Sequence, residues 1–329
     1  MLQKNHFKAT PRCGFSMKRL SIRPVLMAGI CILSFALSST MLSSCPKSSP
    51  GTSSDAVSKE KTHTIVTSFY PIYISVINVT KDIPSVEVIN MTTAQTGCLH
   101  DYQLRPQDLE TIAKADAFVI NGAGMESFME DVIAQQPGLD VIDASKGIET
   151  LKDASSGEVN PHLWVSITNT MSQVRNIADG LASQDPKNAA GYEKNASLYL
   201  SSLDTLRKNA AKDLALLKTR DIITFHEAFP YFAKEFHLNI LAVIEREPNS
   251  TPTARELEAT IKTVKESGAK ALFAEPQYSS RIAQTIAEAT GAKIYTLDPV
   301  VTGESNAGAI NNYITTMEKN IATLKEALG

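Results

Sequence analysis

I-I-T-F-H-E-A-F-P-Y, residues 222–231, joins an apolar β-branched run to an aromatic-rich helix start, with His226 at the joint. A run too apolar to alternate reads as a strand buried on both faces, as parallel strands are. A side chain placed where such a strand stops and a helix begins is aimed at the crevice in which open α/β sheets hold their ligands. His100 in G-C-L-H-D-Y and His162 in N-P-H-L-W stand in comparable settings, and Asp298 in T-L-D-P ends a further apolar run. Three imidazoles and a carboxylate are the donor set of a first-row metal site.

The same strand–helix rhythm extends outward from this stretch. Before it, residues 64–69, 86–91, 117–122 and 139–144 are short Val- and Ile-rich runs bounded by Gly, Pro, Asn or Asp. Beyond it, residues 221–225, 238–244, 271–274 and 293–297 repeat the pattern. Helices fit residues 106–115, opening on Pro106, and residues 253–267 and 279–290, followed by Gly268 and Gly291 as helix-ending glycines. Strands alternating with helices predict parallel sheets. Between the two sets, residues 185–218 hold no strand-like run. There Tyr192, Ala196, Tyr199, Leu203, Leu206, Ala210, Leu214 and Leu217 recur at three- and four-residue steps. A helix of about 33 residues would span roughly 50 Å, long enough to join two lobes and pack on both.

The start of the chain reads as an address. Lys4, Lys8, Arg12, Lys18, Arg19 and Arg23 precede an uncharged stretch over residues 25–42, and Met17 offers an alternative start. That is the layout of a secretory signal, with a single transmembrane anchor as the other reading. Leu42-Ser43-Ser44-Cys45 resembles the bacterial lipobox, in which the cysteine carries the lipid; ordinary cleavage beside a chance cysteine is the alternative. The Ser-, Pro- and Gly-containing residues that follow read as a tether. The expected organisation is a signal over 1–44, a tether over 45–62, an α/β lobe over 63–184, a linking helix over 185–219 and a second lobe over 220–329. The fold class is α/β, with two similar lobes of mainly parallel sheet on one long rigid helix.

Setting the six basic leader residues aside takes the formal charge from −3 to about −9. An acidic body with no basic stripe argues against nucleic acid. Of four cysteines only Cys98 lies beyond the address, so the body has no intramolecular disulfide.

Four protein ligands suit a closed, binding site, whereas hydrolytic zinc keeps a position for water. H-E-A-F-P at 226–230 is not the H-E-x-x-H of a metalloprotease, because Pro230 takes the second histidine's place. The expectation is therefore no enzyme. A metal-dependent hydrolase, with Glu227 as its candidate base, and an adhesin on the same scaffold are the alternatives. His63 and His237 lack the strand-end setting and read as structural.

Several motifs together, H-E-A-F-P-Y-F-A-K-E-F (226–236), H-D-Y-Q-L-R-P-Q-D (100–108), A-D-A-F-V-I-N-G-A-G-M-E (115–126), N-P-H-L-W (160–164) and L-D-P (297–299), resemble the zinc/manganese solute-binding lipoproteins of ABC importers. The resemblance runs from about Thr64 to the C-terminus. It implies two α/β lobes on a rigid helix, a metal between them, and His100, His162, His226 and Asp298 as ligands. It also implies a monomer anchored outside the cytoplasm through Cys45 and serving a membrane permease. Val165-Ser166-Ile167 departs from the aromatic and Leu-Asp-Pro that commonly follow the family's second histidine, and Gly97-Cys98-Leu99 departs ahead of the first. Cys98, two residues from His100, could lend a soft thiolate, but its loop position and the full set of four argue against it. Glu275 is expected to hydrogen-bond a ligand or substitute as an acceptor. Imidazole at position 226 favours Zn(II) over Mn(II), although residues 148–159 lack the His-rich loop of many zinc-specific members, and Mn(II) is the alternative cargo.

Overall fold

The structure, a computed structural model, describes residues 62–99, 102–152, 157–244, 252–277 and 280–329. The expectations for the leader, the tether, Cys45 and His100 lie outside the described residues. In chain order the elements are β1 (His63–Thr67), α1 (Tyr70–Val79), β2 (Val86–Asn90), α2 (Pro106–Ile112), β3 (Ala117–Ile120), α3 (Glu130–Ala134), β4 (Asp140–Asp143), α4 (Ile167–Gln184) and α5 (Ala189–Leu214). They continue with β5 (Asp221–Thr224), α6 (Pro230–Phe236), β6 (Asn239–Val243), α7 (Ala254–Ser267), β7 (Ala271–Ala274), α8 (Ser280–Thr290), β8 (Lys293–Thr296) and α9 (Asn312–Leu328). All eight expected strands are present, in order.

They form two parallel sheets of identical plan, β2-β1-β3-β4 and β6-β5-β7-β8. In each, the chain reverses its direction of travel across the sheet beside the first strand, between β1 and β3 and between β5 and β7. The carboxyl ends of those strand pairs are where an open sheet leaves a crevice. Successive side chains leave a strand on opposite faces. Ile65 accordingly enters the large central core while Val66 joins Met91, Ile112, Phe118 and Met129 on the outer face. Ile222 and Ile223 divide in the same way, Ile223 going outward to Phe225, Val264, Leu272 and Ile286.

The central core carries the helices that hold the lobes together. On α5 the buried residues are Tyr192, Ala196, Tyr199, Leu203, Leu206, Ala210 and Leu214, the expected stripe less Leu217, which is half-buried. Full burial of a large apolar side chain stabilises by about 1.5–3 kcal/mol, so the stripe is a principal tie. It packs on α1 of the first lobe and on α9, which follows the last strand of the second. The helix is shorter than expected, 26 residues. Residues Pro186–Asn188 form a 3₁₀ turn instead, because the Asp185 carboxylate gathers hydrogen bonds from Asn188 and the Tyr192 hydroxyl there. Nor does α5 stand alone, since the 18-residue α4, absent from the sequence reading, packs along it. Ser166 starts α4, its hydroxyl accepting from the Asn169 amide at 3.1 Å, which gives the departure at 165–167 a capping function. Gly268 and Gly291 both adopt positive φ, +66° and +74°, where α7 and α8 end, as expected of helix-terminating glycines.

Candidate metal centre

His162 comes from the loop after β4, and the N-P-H segment is gripped from both lobes. The Asn160 side-chain oxygen accepts from the His162 backbone amide at 3.0 Å and lies 2.9 Å from His162 Nδ1. Its side-chain nitrogen donates to the Glu227 carbonyl at 2.9 Å, and this bond orients the amide with its oxygen toward the imidazole. An amide oxygen only accepts, so Nδ1 is the protonated nitrogen and Nε2 holds the lone pair a metal needs. Asn121, at the end of β3, donates to the Pro161 carbonyl at 2.9 Å and is itself held by Gln173 of α4 at 2.8 Å. From the second lobe, the Tyr231 hydroxyl donates to the Asn160 carbonyl at 2.7 Å.

Glu126 explains the N-G-A-G-M-E sequence. Its buried carboxylate accepts from the backbone amides of Asn121 and Gly122 at 2.8 and 3.0 Å. Gly122 is required, because its φ is +76° and a Cβ would collide with the Asp143 carboxylate. Burial pushes the Glu126 carboxyl up to about 7, and the two amides pull it back only part-way.

His226 lies two residues past the end of β5, at the switch point, and is 1% exposed. Its Nδ1 lies 3.5 Å from Oε1 of Glu275, which follows β7, the neighbouring strand, and is equally buried. The other Glu275 oxygen accepts from Gln277 Nε2 at 2.6 Å. Burial raises the Glu275 carboxyl, with His226 opposing the rise. The His162 and His226 rings meet edge to face, centroids 4.7 Å apart at 85°. Trp164 backs His162 at 5.3 Å and donates its Nε1 hydrogen to the Pro299 carbonyl at 2.7 Å, a further tie between the lobes.

The two histidines are joined by Cys98. Among the described residues, one potential ligand atom each from Cys98, His162 and His226 lie within 4.8 Å of one another, and all three side chains are buried. Asp298 stands outside that group at the end of β8. Its carboxylate accepts from the Val300 amide at 2.7 Å, and Asn320 of α9 brackets its peptide, accepting from the amide and donating to the carbonyl. Burial raises its carboxyl, against the Val300 hydrogen bond and the charge of Lys319. Past the position of His100, the Tyr102 hydroxyl donates to Asp108 at 2.7 Å and Arg105 pairs with it at 2.8 Å. His63 lies 3.9 Å from Asp116 and His237 ends α6 in the left-handed region at φ +57°; neither is in the Cys98–His162–His226 group.

The family model described as zinc-uptake complex component A, periplasmic (ZnuA), matches residues 65–327. The chain belongs to the ZnuA family. It is 31% identical over 308 residues to the high-affinity zinc uptake system protein ZnuA of Bacillus subtilis, covering 88% of this chain and 94% of that protein. It is 29% identical to the zinc-binding lipoprotein AdcA of Streptococcus pneumoniae over 80% of this chain, but spans only 55% of AdcA's length. A structure of the solute-binding protein FpvC of Pseudomonas aeruginosa with Mn2+ superimposes with a TM-score of 0.72 at 33% identity, over 82% of this chain and 98% of that one. What sequence reasoning missed in this ZnuA-family chain is the scaffold of Asn160, Asn121, Gln173 and Tyr231 around His162. Short polar residues carry no periodic signal, and only the N-P-H spelling hinted at a shaped turn.

Proposed function

We propose that this chain captures a divalent transition metal, Zn(II), in the cleft between its lobes and delivers it to the membrane permease of an ABC importer. The observation that carries the reading is the His162–His226 pair. Two buried imidazoles from different lobes meet edge to face, each with an oxygen acceptor within 3.5 Å of its Nδ1. That is the usual outer support of metal-binding histidine. The buried His162–His226 pair supports those two residues as ligands, and the family motifs support His100 and Asp298. Glu275 is the carboxylate that orients His226. Residues 63–184 and 220–329 act as the halves of the clamp on the helical segment over 185–219. Imidazole-rich coordination favours zinc over manganese, and the zinc names of the relatives agree with that choice. The chain works outside the cytoplasm as a monomer without turnover of its own, held to the membrane through a lipid on Cys45 after removal of residues 1–44.

Equilibrating the purified chain with zinc at neutral pH and measuring bound metal tests the reading. About one tightly held zinc per chain is expected, displaced as the solution is acidified because protons compete for the imidazole nitrogens. A chain that retains no zinc and no manganese contradicts it.

A further inference from the structure

We infer that Cys98 is itself a metal ligand, and that its thiolate is the group that sets this site's preference for zinc over manganese. The inference rests on the capture reading above and goes beyond the ligand set the family motifs imply.

Three observations converge on Cys98. Its sulfur and the nearest ring nitrogens of His162 and His226 lie within 4.8 Å of one another. In a tetrahedral zinc site, bonds of about 2.3 Å to sulfur and 2.0–2.1 Å to nitrogen put those atoms ~3.6 Å apart. A closure of about 1 Å, well within side-chain torsion, would therefore complete the geometry. Second, the thiol is enclosed, with Cys98 8% exposed beside the fully buried Leu99. It lies in the buried central core and not on the loop surface that its sequence position alone predicts. Third, the three residues come from separate places, the loop after β2, the loop after β4 and the end of β5. Packing of ordinary core residues does not require two imidazoles and a sulfur to converge with their donor atoms together.

The chemistry then follows from ligand softness. Thiolate and imidazole suit zinc, while manganese, at the bottom of the divalent affinity series, prefers carboxylate, carbonyl and water. On binding, the Cys98 S–H bond breaks, the proton leaves to solvent and the sulfur lone pair forms the metal bond.

The test uses the full chain carrying Cys13→Ser, Cys31→Ser and Cys45→Ser, so that Cys98 is the sole thiol, titrated with Co(II) as a spectroscopic stand-in for zinc. A near-ultraviolet thiolate-to-cobalt charge-transfer band, saturating at about one cobalt per chain, is expected. Adding Cys98→Ser should abolish that band while visible cobalt bands persist. It should also weaken zinc by more than the ~10–100-fold that losing a supporting group costs, and manganese by less than about threefold. Cobalt bound in the visible bands without the charge-transfer band, with zinc affinity unchanged by Cys98→Ser, overturns the role of Cys98 and leaves the capture reading standing. Absence of any bound cobalt or zinc in the thiol-containing chain overturns both. Should Cys98→Ser fail to fold, the band in the thiol-containing chain decides alone.

Discussion

The two lobes share a strand order, yet they furnish the cleft by different means. The second lobe presents His226, Glu275 and Asp298 straight from the ends of β5, β7 and β8, so rigid strands aim them. The first lobe presents His162 from a loop, and a set of hydrogen bonds from Asn160, Asn121 and Tyr231 substitutes for the strand. His226 has a carboxylate behind it, His162 a neutral amide. The difference teaches that a buried histidine facing a cleft can be positioned by topology or by a polar network, and the two should respond differently to substitution.

The largest effects should come from His226→Ala and His162→Ala. On the proposed reading each removes a ligand, so each should lower zinc affinity by more than the ~10–100-fold that losing an outer hydrogen-bond partner costs, as read by chelator competition. If His162→Ala binds zinc as tightly as the unaltered chain, His162 is not a ligand. Glu275→Gln and Asn160→Ala come next, each expected to weaken zinc by ~10–100-fold. They separate on melting temperature. Asn160→Ala removes the hydrogen bonds that Asn160 makes with the Glu227 carbonyl and the His162 amide, at about 0.5–1.5 kcal/mol each. Glu275→Gln replaces a buried carboxyl by a neutral amide and should leave the melting temperature unchanged or raised.

Trp164→Phe probes the tie between the lobes. Losing the hydrogen bond to the Pro299 carbonyl should cost about 1–3 kcal/mol, visible in urea unfolding of the metal-free chain. An unchanged midpoint would show that packing, not this bond, holds the lobes. A further expected effect is a slope. The Glu126 carboxyl lies at about 7 in the folded chain against an ordinary value of 4.5, so the folded state binds the extra proton between those values. Stability contributed through Glu126 is therefore present below pH ~4.5 and falls as pH rises to ~7. Glu126→Gln should flatten that stretch of the stability profile, and an unaltered slope would assign the titration elsewhere.

Much of this arrangement was legible in the residues. Parallel strands are buried on both faces, so each appeared as an apolar run with clear ends, and His226, Glu275 and Asp298 could be placed at three of those ends. The α5 stripe showed its period because its other faces are solvated. Helix α1 did not, since Y-P-I-Y-I-S-V-I-N-V is apolar almost throughout and eight of its ten residues are buried. Helix α4 hid for the opposite reason, because its buried face includes Thr170 and Gln173, which reach Trp164, Tyr313 and Asn121 through hydrogen bonds. In α9, Asn320 interrupts the apolar stripe but is buried in order to bracket Asp298. Cys98 was set aside as a loop residue because burial of a single thiol depends on what folds over it, and nothing local in G-C-L records that. Polar residues buried for positioning leave no pattern along a chain, and the first lobe's half of the cleft is made of them.

Anomalous diffraction at the zinc edge, on crystals of the zinc-loaded chain, tests the central claim most directly. A single strong peak is predicted between the lobes, about 2.0–2.1 Å from a ring nitrogen of both His162 and His226. A peak bonded to only one of them, or one lying elsewhere on the molecule, would contradict a clamp made jointly by the two lobes.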